Sequence, residues 1–141
     1  MDTSGQERFR AINESYYRKA DCCLLVYDIS ERKTFDECKY YSKKIKEKCK
    51  DNVVTILLGN KTDLEYNRKI PSEEGANFSL ENGYIFMETS CLKNENVADA
   101  FQTLIEITNR EAIKKKNNNN GLVLDKKNLK AKKKVNLVVN N

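Results

Sequence analysis

Apolar positions along the chain recur with two periods, and the switching between them predicts the elements in order. Phe9, Ile12 and Tyr16 lie at helical spacing within residues 6–19, and the uninterrupted apolar run 22–27 follows at once. Apolar residues three or four apart mark one face of a helix, whereas a short continuous run suits a buried strand, so a helix and then a strand are expected. Thr34 with Glu37 three residues on has the form of a capping box, and Phe35, Cys38, Tyr41, Ile45 and Cys49 continue as one helical stripe over residues 35–50. Residues 53–58 form a second continuous β-branched and aliphatic run, ended by Gly59.

Further on, Pro71-Ser72-Glu73-Glu74 places a cap at Ser72 with acid in the first turn of a helix. That helix is expected to stop near Asn82-Gly83, with a short strand over 84–87. Val97, Phe101, Leu104 or Ile105, and Thr108 mark a last helix, capped by Asn94 or Asn96 and fading into Lys114-Lys115-Lys116. Strands that are apolar throughout are covered on both faces, and their alternation with helices predicts a parallel sheet in an α/β fold.

A chain of 141 residues can bury one core, and 39% apolar with 33% charged residues excludes collagen-like and wholly disordered classes. The net charge of +5 is unevenly placed: residues 112–141 hold nine Lys and one Asp, net +8, which leaves −3 on residues 1–111. Four consecutive Asn from Asn117, then Lys-rich sequence without a period, predict a folded unit over 1–113 and an Asn/Lys-rich disordered tail over 114–141. Such a tail is read as a solvated run capable at most of weak, salt-sensitive contact with an anionic membrane; nucleic acid is not the expected partner. No run approaches ~20 apolar residues and the N-terminal stretch is charged, so neither a spanning helix nor a signal peptide is expected, and the chain reads as cytoplasmic. Five cysteines without CxxC spacing read as reduced, packed thiols, with Cys22 and Cys23 as small core residues.

Three short motifs stand out: Asp2-Thr3-Ser4-Gly5-Gln6, Asn60-Lys61-Thr62-Asp63 and Glu88-Thr89-Ser90-Cys91. Each alone is weak. Asn60 and Ser90, however, follow the carboxyl ends of two predicted parallel strands, where open α/β sheets place their ligand crevice.

Together these motifs resemble those of the Ras superfamily of small GTPases, and within it the Rab family, over residues 2–111. Asp2 to Gln6 followed by Glu7-Arg8-Phe9-Arg10 resembles switch II. Tyr16-Tyr17-Arg18-Lys19-Ala20 and Leu25-Val26-Tyr27-Asp28-Ile29-Ser30 are similar to stretches that separate Rabs from Ras and Rho proteins. Glu88-Thr89-Ser90-Cys91-Leu92, with Leu where others have Lys, is similar to the endosomal-recycling Rabs. The resemblance implies a three-layer parallel-sheet fold of the P-loop GTPase kind, incomplete, with only the last three strands and their helices. It also implies regulation of vesicle transport, GTP/GDP and Mg²⁺ as cofactors, and Rab effectors or regulators as partners.

The site roles follow from the resemblance and make physical sense. The Asp63 carboxylate would accept paired hydrogen bonds from guanine N1 and its exocyclic amine, which adenine cannot donate, and Asn60 would donate to N7. Lys61 would lie along the base and ribose, and the backbone of Ser90, Cys91 and Leu92 would face the guanine oxygen. Asp2 would hold magnesium through water, Gly5 would approach the γ-phosphate through its N–H, with Thr3 and Ser4 in the same nucleotide-binding stretch, and Gln6 would orient the attacking water. Tyr16 and Tyr17 read as core or boundary residues, with an effector-facing pair as the rival reading.

The phosphate cradle GxxxxGK[ST] needs two glycines five apart, and Gly5, Gly59, Gly75, Gly83 and Gly121 contain no such pair. By the resemblance, roughly sixty residues carrying the P-loop, its helix, switch I and three strands would precede Met1. Two charge-assisted bonds of ~1.5–3 kcal/mol each, set against the cost of association, leave nucleotide binding at about millimolar or weaker. The expected function is therefore that of a Rab-like homologue defective in GTP binding and hydrolysis. The alternative is a non-enzymatic, Rab-derived interaction fragment, or the product of a gene that is degenerate or assigned the wrong start. No prenyl anchor is expected, as no cysteine follows Cys91, and the strand over 22–27 is expected to present an unpaired apolar edge.

Overall fold

The computed structural model describes residues 14–51, 53–119 and 135–139. The elements are α1 (Glu14–Lys19), β1 (Cys22–Asp28), α2 (Arg32–Lys48), β2 (Val54–Asn60), a 3₁₀ segment (Thr62–Asn67), α3 (Ser72–Asn82), β3 (Ile85–Thr89), α4 (Val97–Asn119) and β4 (Val135–Val139). They form a sheet of order β3-β2-β1-β4 in which every neighbouring pair is parallel. The α/β layering expected from the apolar runs is therefore present.

Each face of the sheet carries its own cluster, which explains why the strands read as continuous apolar runs. Cys23, Leu25, Tyr27 and Leu57 point to one side and pack with Tyr17, Phe35, Cys38, Tyr41 and Ile45 of α1 and α2. Cys22, Leu24, Val26, Ile56 and Leu58 point to the other and pack with Ala100 and Leu104 of α4. Residues alternate between faces along a strand, so two covered faces need apolar residues at every position. Tyr17 is a core residue, its hydroxyl pKa pushed up to about 12 first by burial and then by neighbouring Tyr41.

The ends of the helices depart from the sequence reading in physically simple ways. Thr34 is not the cap of α2. Glu31 takes that position, its carboxylate accepting from Lys33 N at 3.5 Å. Thr34 Oγ1 instead accepts from Asp28 N at 2.9 Å and donates to Glu31 O at 2.7 Å, tying the helix start to the end of β1. Ser72 is likewise the first residue of α3 and not its cap; Pro71 occupies the cap position and makes no side-chain bond there. The stop at Gly83 is as expected, with the residue in the left-handed region at φ 70° and its N–H donating to Leu80 O and Ser79 O.

Two expectations about the C-terminal part change. The folded unit was expected to end at residue 113, but α4 runs on to Asn119, and residues 135–139, expected within a disordered tail, form β4. That strand pairs with β1 in the register Cys22↔Val135 to Val26↔Val139, so the edge expected to be unpaired is covered. Residues 6–13 of the first predicted helix lie outside the described residues.

Candidate functional site

Parallel pairing brings the last residues of three strands into one row. Asp28 of β1 stands opposite Asn60 of β2, which stands opposite Thr89 of β3. Carboxyl ends of parallel strands open toward loops, so the residues following each strand converge beside this row.

Asn60 is held by two donors at one atom. Its Oδ1 accepts from Thr89 Oγ1 and from Cys91 N, both at 3.3 Å, while its backbone O accepts from Ile29 N at 3.0 Å. The chain then turns sharply, with Lys61 in the left-handed region at φ 68°, where a side chain with a Cβ is sterically disfavoured. This turn starts the 3₁₀ segment, and Leu64 N donates to Lys61 O at 2.8 Å. It sets Asp63 against Ser90, whose hydroxyl donates to Asp63 Oδ1 at 2.5 Å.

Ser90 is fully buried and acts as a junction. Its Oγ accepts from Lys93 N at 3.1 Å, and its backbone forms an antiparallel bridge with Glu95, N to O at 3.1 Å and O from N at 2.9 Å. The loop 90–96 is thereby closed on itself. Asn94 and Asn96 take its two left-handed positions, and the Asn96 amide donates to Glu88 O at 3.0 Å. Cys91 and Leu92 are exposed at the tip, Leu92 by 83%.

Lys61 reaches back over the row to Asp28, Nζ to Oδ2 at 2.6 Å. The Asp28 carboxylate also accepts at Oδ1 from Ser30 N at 2.8 Å and Ser30 Oγ at 2.6 Å. Burial of Asp28 disfavours its charged form, but the hydrogen bonds from Lys61 and Ser30 outweigh that cost and hold its carboxyl below the ordinary carboxylate value. Behind the site, Arg68 bridges two carboxylates, reaching Glu88 Oε1 at 2.7 Å and Glu65 Oε2 at 2.6 Å, and it also donates to Ile70 O at 3.0 Å. The Arg68 guanidinium holds the Glu65 carboxyl below its ordinary value.

The second and third motifs are thus one physical unit: Asn60, Lys61, Asp63, Ser90, Cys91 and Leu92 lie around a single sheet end. Asp2, Thr3, Ser4, Gly5 and Gln6 lie outside the described residues. Among the described residues no group of three or more His, Cys, Asp or Glu side chains could hold a metal ion. Sequence reasoning passed over Asp28, Ser30 and Thr34 as parts of this unit, and Arg68 and Glu88 as its brace. The signal for Asp28 was its place at the end of the first apolar run, level with Asn60 at the end of the second.

Asp63 offers carboxylate lone pairs beyond the one used by Ser90, and Asn60 makes both of its side-chain contacts through Oδ1.

The sequence profile of the Ras family matches residues 1–110. The protein named Ras-related protein Rab11D of Nicotiana tabacum is 44% identical over 117 residues, which cover 82% of this chain and 52% of that protein. GTP-binding protein ypt3 of Schizosaccharomyces pombe is 45% identical over 104 residues, covering 74% of this chain and 49% of that protein. Ras-related protein RABA6a of Arabidopsis thaliana is 43% identical over 122 residues, covering 83% and 52%. The chain spans about half the length of these relatives.

Proposed function

Because this chain belongs to the Ras family, with Rab proteins among its relatives, we propose that the sheet end at Asn60, Asp63 and Ser90 is the base-reading part of a guanine nucleotide site in a Rab-type regulator of vesicle transport. The observation that carries this reading is the 2.5 Å hydrogen bond from buried Ser90 to Asp63, which fixes a carboxylate at the carboxyl end of the sheet. A fixed carboxylate accepts from the N1 proton and exocyclic amine of guanine and meets no matching donors on adenine. Asn60 presents its amide toward N7, Lys61 leaves Asp28 to lie along the base, and the backbone of Ser90 to Leu92 faces the guanine oxygen.

GTP or GDP is the proposed ligand, and Mg²⁺ would accompany the phosphates at Asp2. Gly5 and Gln6, with Thr3 and Ser4 beside them, are the proposed γ-phosphate and water-positioning residues. For residues 1–141 taken by themselves, base contacts carry the proposed binding, at about millimolar affinity or weaker. Rab effectors or regulators are the proposed partners. A cytoplasmic location is proposed, with weak anionic-membrane contact through the Lys-rich segment.

The test is a titration of the full chain with GDP and, separately, ADP, followed by the amide resonances of Cys91 to Lys93. GDP at millimolar concentration is expected to shift these resonances, ADP is expected not to, and Asp63→Ala is expected to abolish the difference. Equal shifts with both nucleotides, or none with either, would overturn the base-reading site. Saturation below about 10 μM would overturn the weak-affinity part alone.

A further inference from the structure

Two cysteines far apart in sequence meet where the start of β1 lies under the end of α2. Cys23 is 1% exposed and points to the face of the sheet that α2 covers, whereas its neighbour Cys22 points to the opposite face. Cys49 caps the C-terminal end of α2, its N–H donating to Ile45 O at 2.9 Å, and it packs half-buried on the same cluster as Cys23. The Cys23 thiol donates a hydrogen bond to Cys49 Sγ, so the two sulfurs are in direct contact. Tyr17 of α1 and Tyr84, just before β3, each stand close enough to feel both thiols electrostatically. The two thiols are not equivalent. Burial, and then Cys49 beside it, pushes the Cys23 thiol far up; burial also raises Cys49, but the hydrogen bond from Cys23 acts against that rise. Cys49 is thus both the reachable sulfur and the readier of the two to ionise.

We propose that Cys23 and Cys49 form a redox-active pair, in which a hydroperoxide oxidises Cys49 and Cys23 then closes a disulfide that locks the end of α2 to the start of β1. With hydrogen peroxide, the Cys49 sulfur gives up its proton and attacks one peroxide oxygen. The O–O bond breaks, Cys49 keeps that oxygen as a sulfenic acid, and the other oxygen leaves as hydroxide and takes the proton to become water. The Cys23 sulfur then attacks the Cys49 sulfur; the S–O bond breaks, and the departing hydroxide takes the Cys23 proton. Two thiols are oxidised to one disulfide, and one peroxide is reduced to two waters. A sulfenic oxygen is small enough to stay beside Cys23 at this half-buried position, whereas a bulky aryl adduct on Cys49 has to turn out to solvent and leaves Cys23 unreacted. The other end of α2 is already tied to β1, where Thr34 Oγ1 accepts from Asp28 N at 2.9 Å. The disulfide ties the second end, and the ring it closes over residues 23–49 removes chain freedom from the unfolded state.

The test treats the full chain carrying Cys91→Ser, which removes the exposed thiol, with excess hydrogen peroxide in dilute solution, then alkylates, digests and maps the product by mass spectrometry. A link between Cys49 and Cys23 within one chain is expected, with reversal by dithiothreitol and a melting midpoint several degrees above that of the reduced chain. Adding Cys22→Ala is expected to keep the link, since that side chain lies on the opposite face of the sheet. Adding Cys49→Ser instead, at a half-buried position that tolerates a hydroxyl, is expected to abolish the link, to leave Cys23 free for alkylation after denaturation and to remove the rise in midpoint. A Cys49 that stops at a sulfenic acid trapped by dimedone, or passes on to the sulfinic acid, with Cys23 still alkylatable, overturns the proposal. A link from Cys49 to any other cysteine overturns it as well. An unchanged or lower midpoint with the link in place overturns the lock.

Discussion

Lys61 Nζ lies 2.6 Å from Asp28 Oδ2, an ion pair between the residue that follows β2 and the residue that ends β1. The pair holds in place a lysine whose backbone is in the left-handed region, so the turn into the 3₁₀ segment and the end of β1 support each other. Asp28→Ala is expected to cost about 1–2 kcal/mol at neutral pH, since it also removes the acceptor of Ser30. Chemical denaturation of the two chains checks this.

The same pair predicts a pH dependence of definite sign. The Asp28 carboxyl is lowered in the folded chain, so its contribution is fully present above the unfolded value of about 3.9 and is lost as pH falls through the folded value. The stability gap between the unaltered chain and Asp28→Ala should be constant from pH 7 to about 5 and should close below about pH 4. A gap that widened on acidification would contradict the assignment.

Tyr27 is fully buried, yet its hydroxyl has no hydrogen-bond partner among the described residues and packs on two glycines. A Cβ at Gly75 would stand 2.6 Å from Tyr27 Oη and 2.7 Å from the Phe86 ring. Tyr27→Phe should therefore be neutral or stabilising by up to about 1 kcal/mol, because it removes an unsatisfied buried group. Gly75→Ala should destabilise by about 1–3 kcal/mol through overpacking, and the double variant with Tyr27→Phe should recover part of that loss. Thermal unfolding of the three variants measures all three effects.

Ser90→Ala removes one donor to Asp63 and one acceptor of Lys93 N at a buried position. The expected loss is about 1–2 kcal/mol, accompanied by faster amide exchange at Leu64 and Lys93, whose loops the serine joins. Exchange that stays unchanged at both amides would mean that Ser90 does not brace the two loops.

The cysteines should separate by accessibility. Cys91 is exposed and Cys49 half-buried, whereas Cys22, Cys23 and Cys38 are buried, and burial raises the thiol pKa of Cys23. An aromatic disulfide reagent at pH 8 should modify Cys91 first and Cys49 more slowly, sparing the other three until denaturant is added. Cys91→Ser should remove the fast phase. The expectation of packed thiols from sequence holds for three of the five; Cys91 departs from it because the bridge between Ser90 and Glu95 turns the following residue out at the loop tip.

Part of this protein is written in local periods. The runs that became β1 and β2, the stripe of Phe35, Cys38, Tyr41 and Ile45 on α2, and the stop at Gly83 follow from neighbours a few residues apart, and so did the parallel α/β class. The two motifs at strand ends were legible for the same reason. Other features depend on residues far apart in the chain. Thr34 left its capping role because Asp28 N, brought near by the end of β1, offered a partner that a local pattern does not contain. Asp28 joined Lys61 only once β1 and β2 had paired in register. The strand Val135–Val139 carries a short apolar run too weak to declare itself, and it became a strand through the unpaired backbone of β1, which no periodicity in its own sequence encodes.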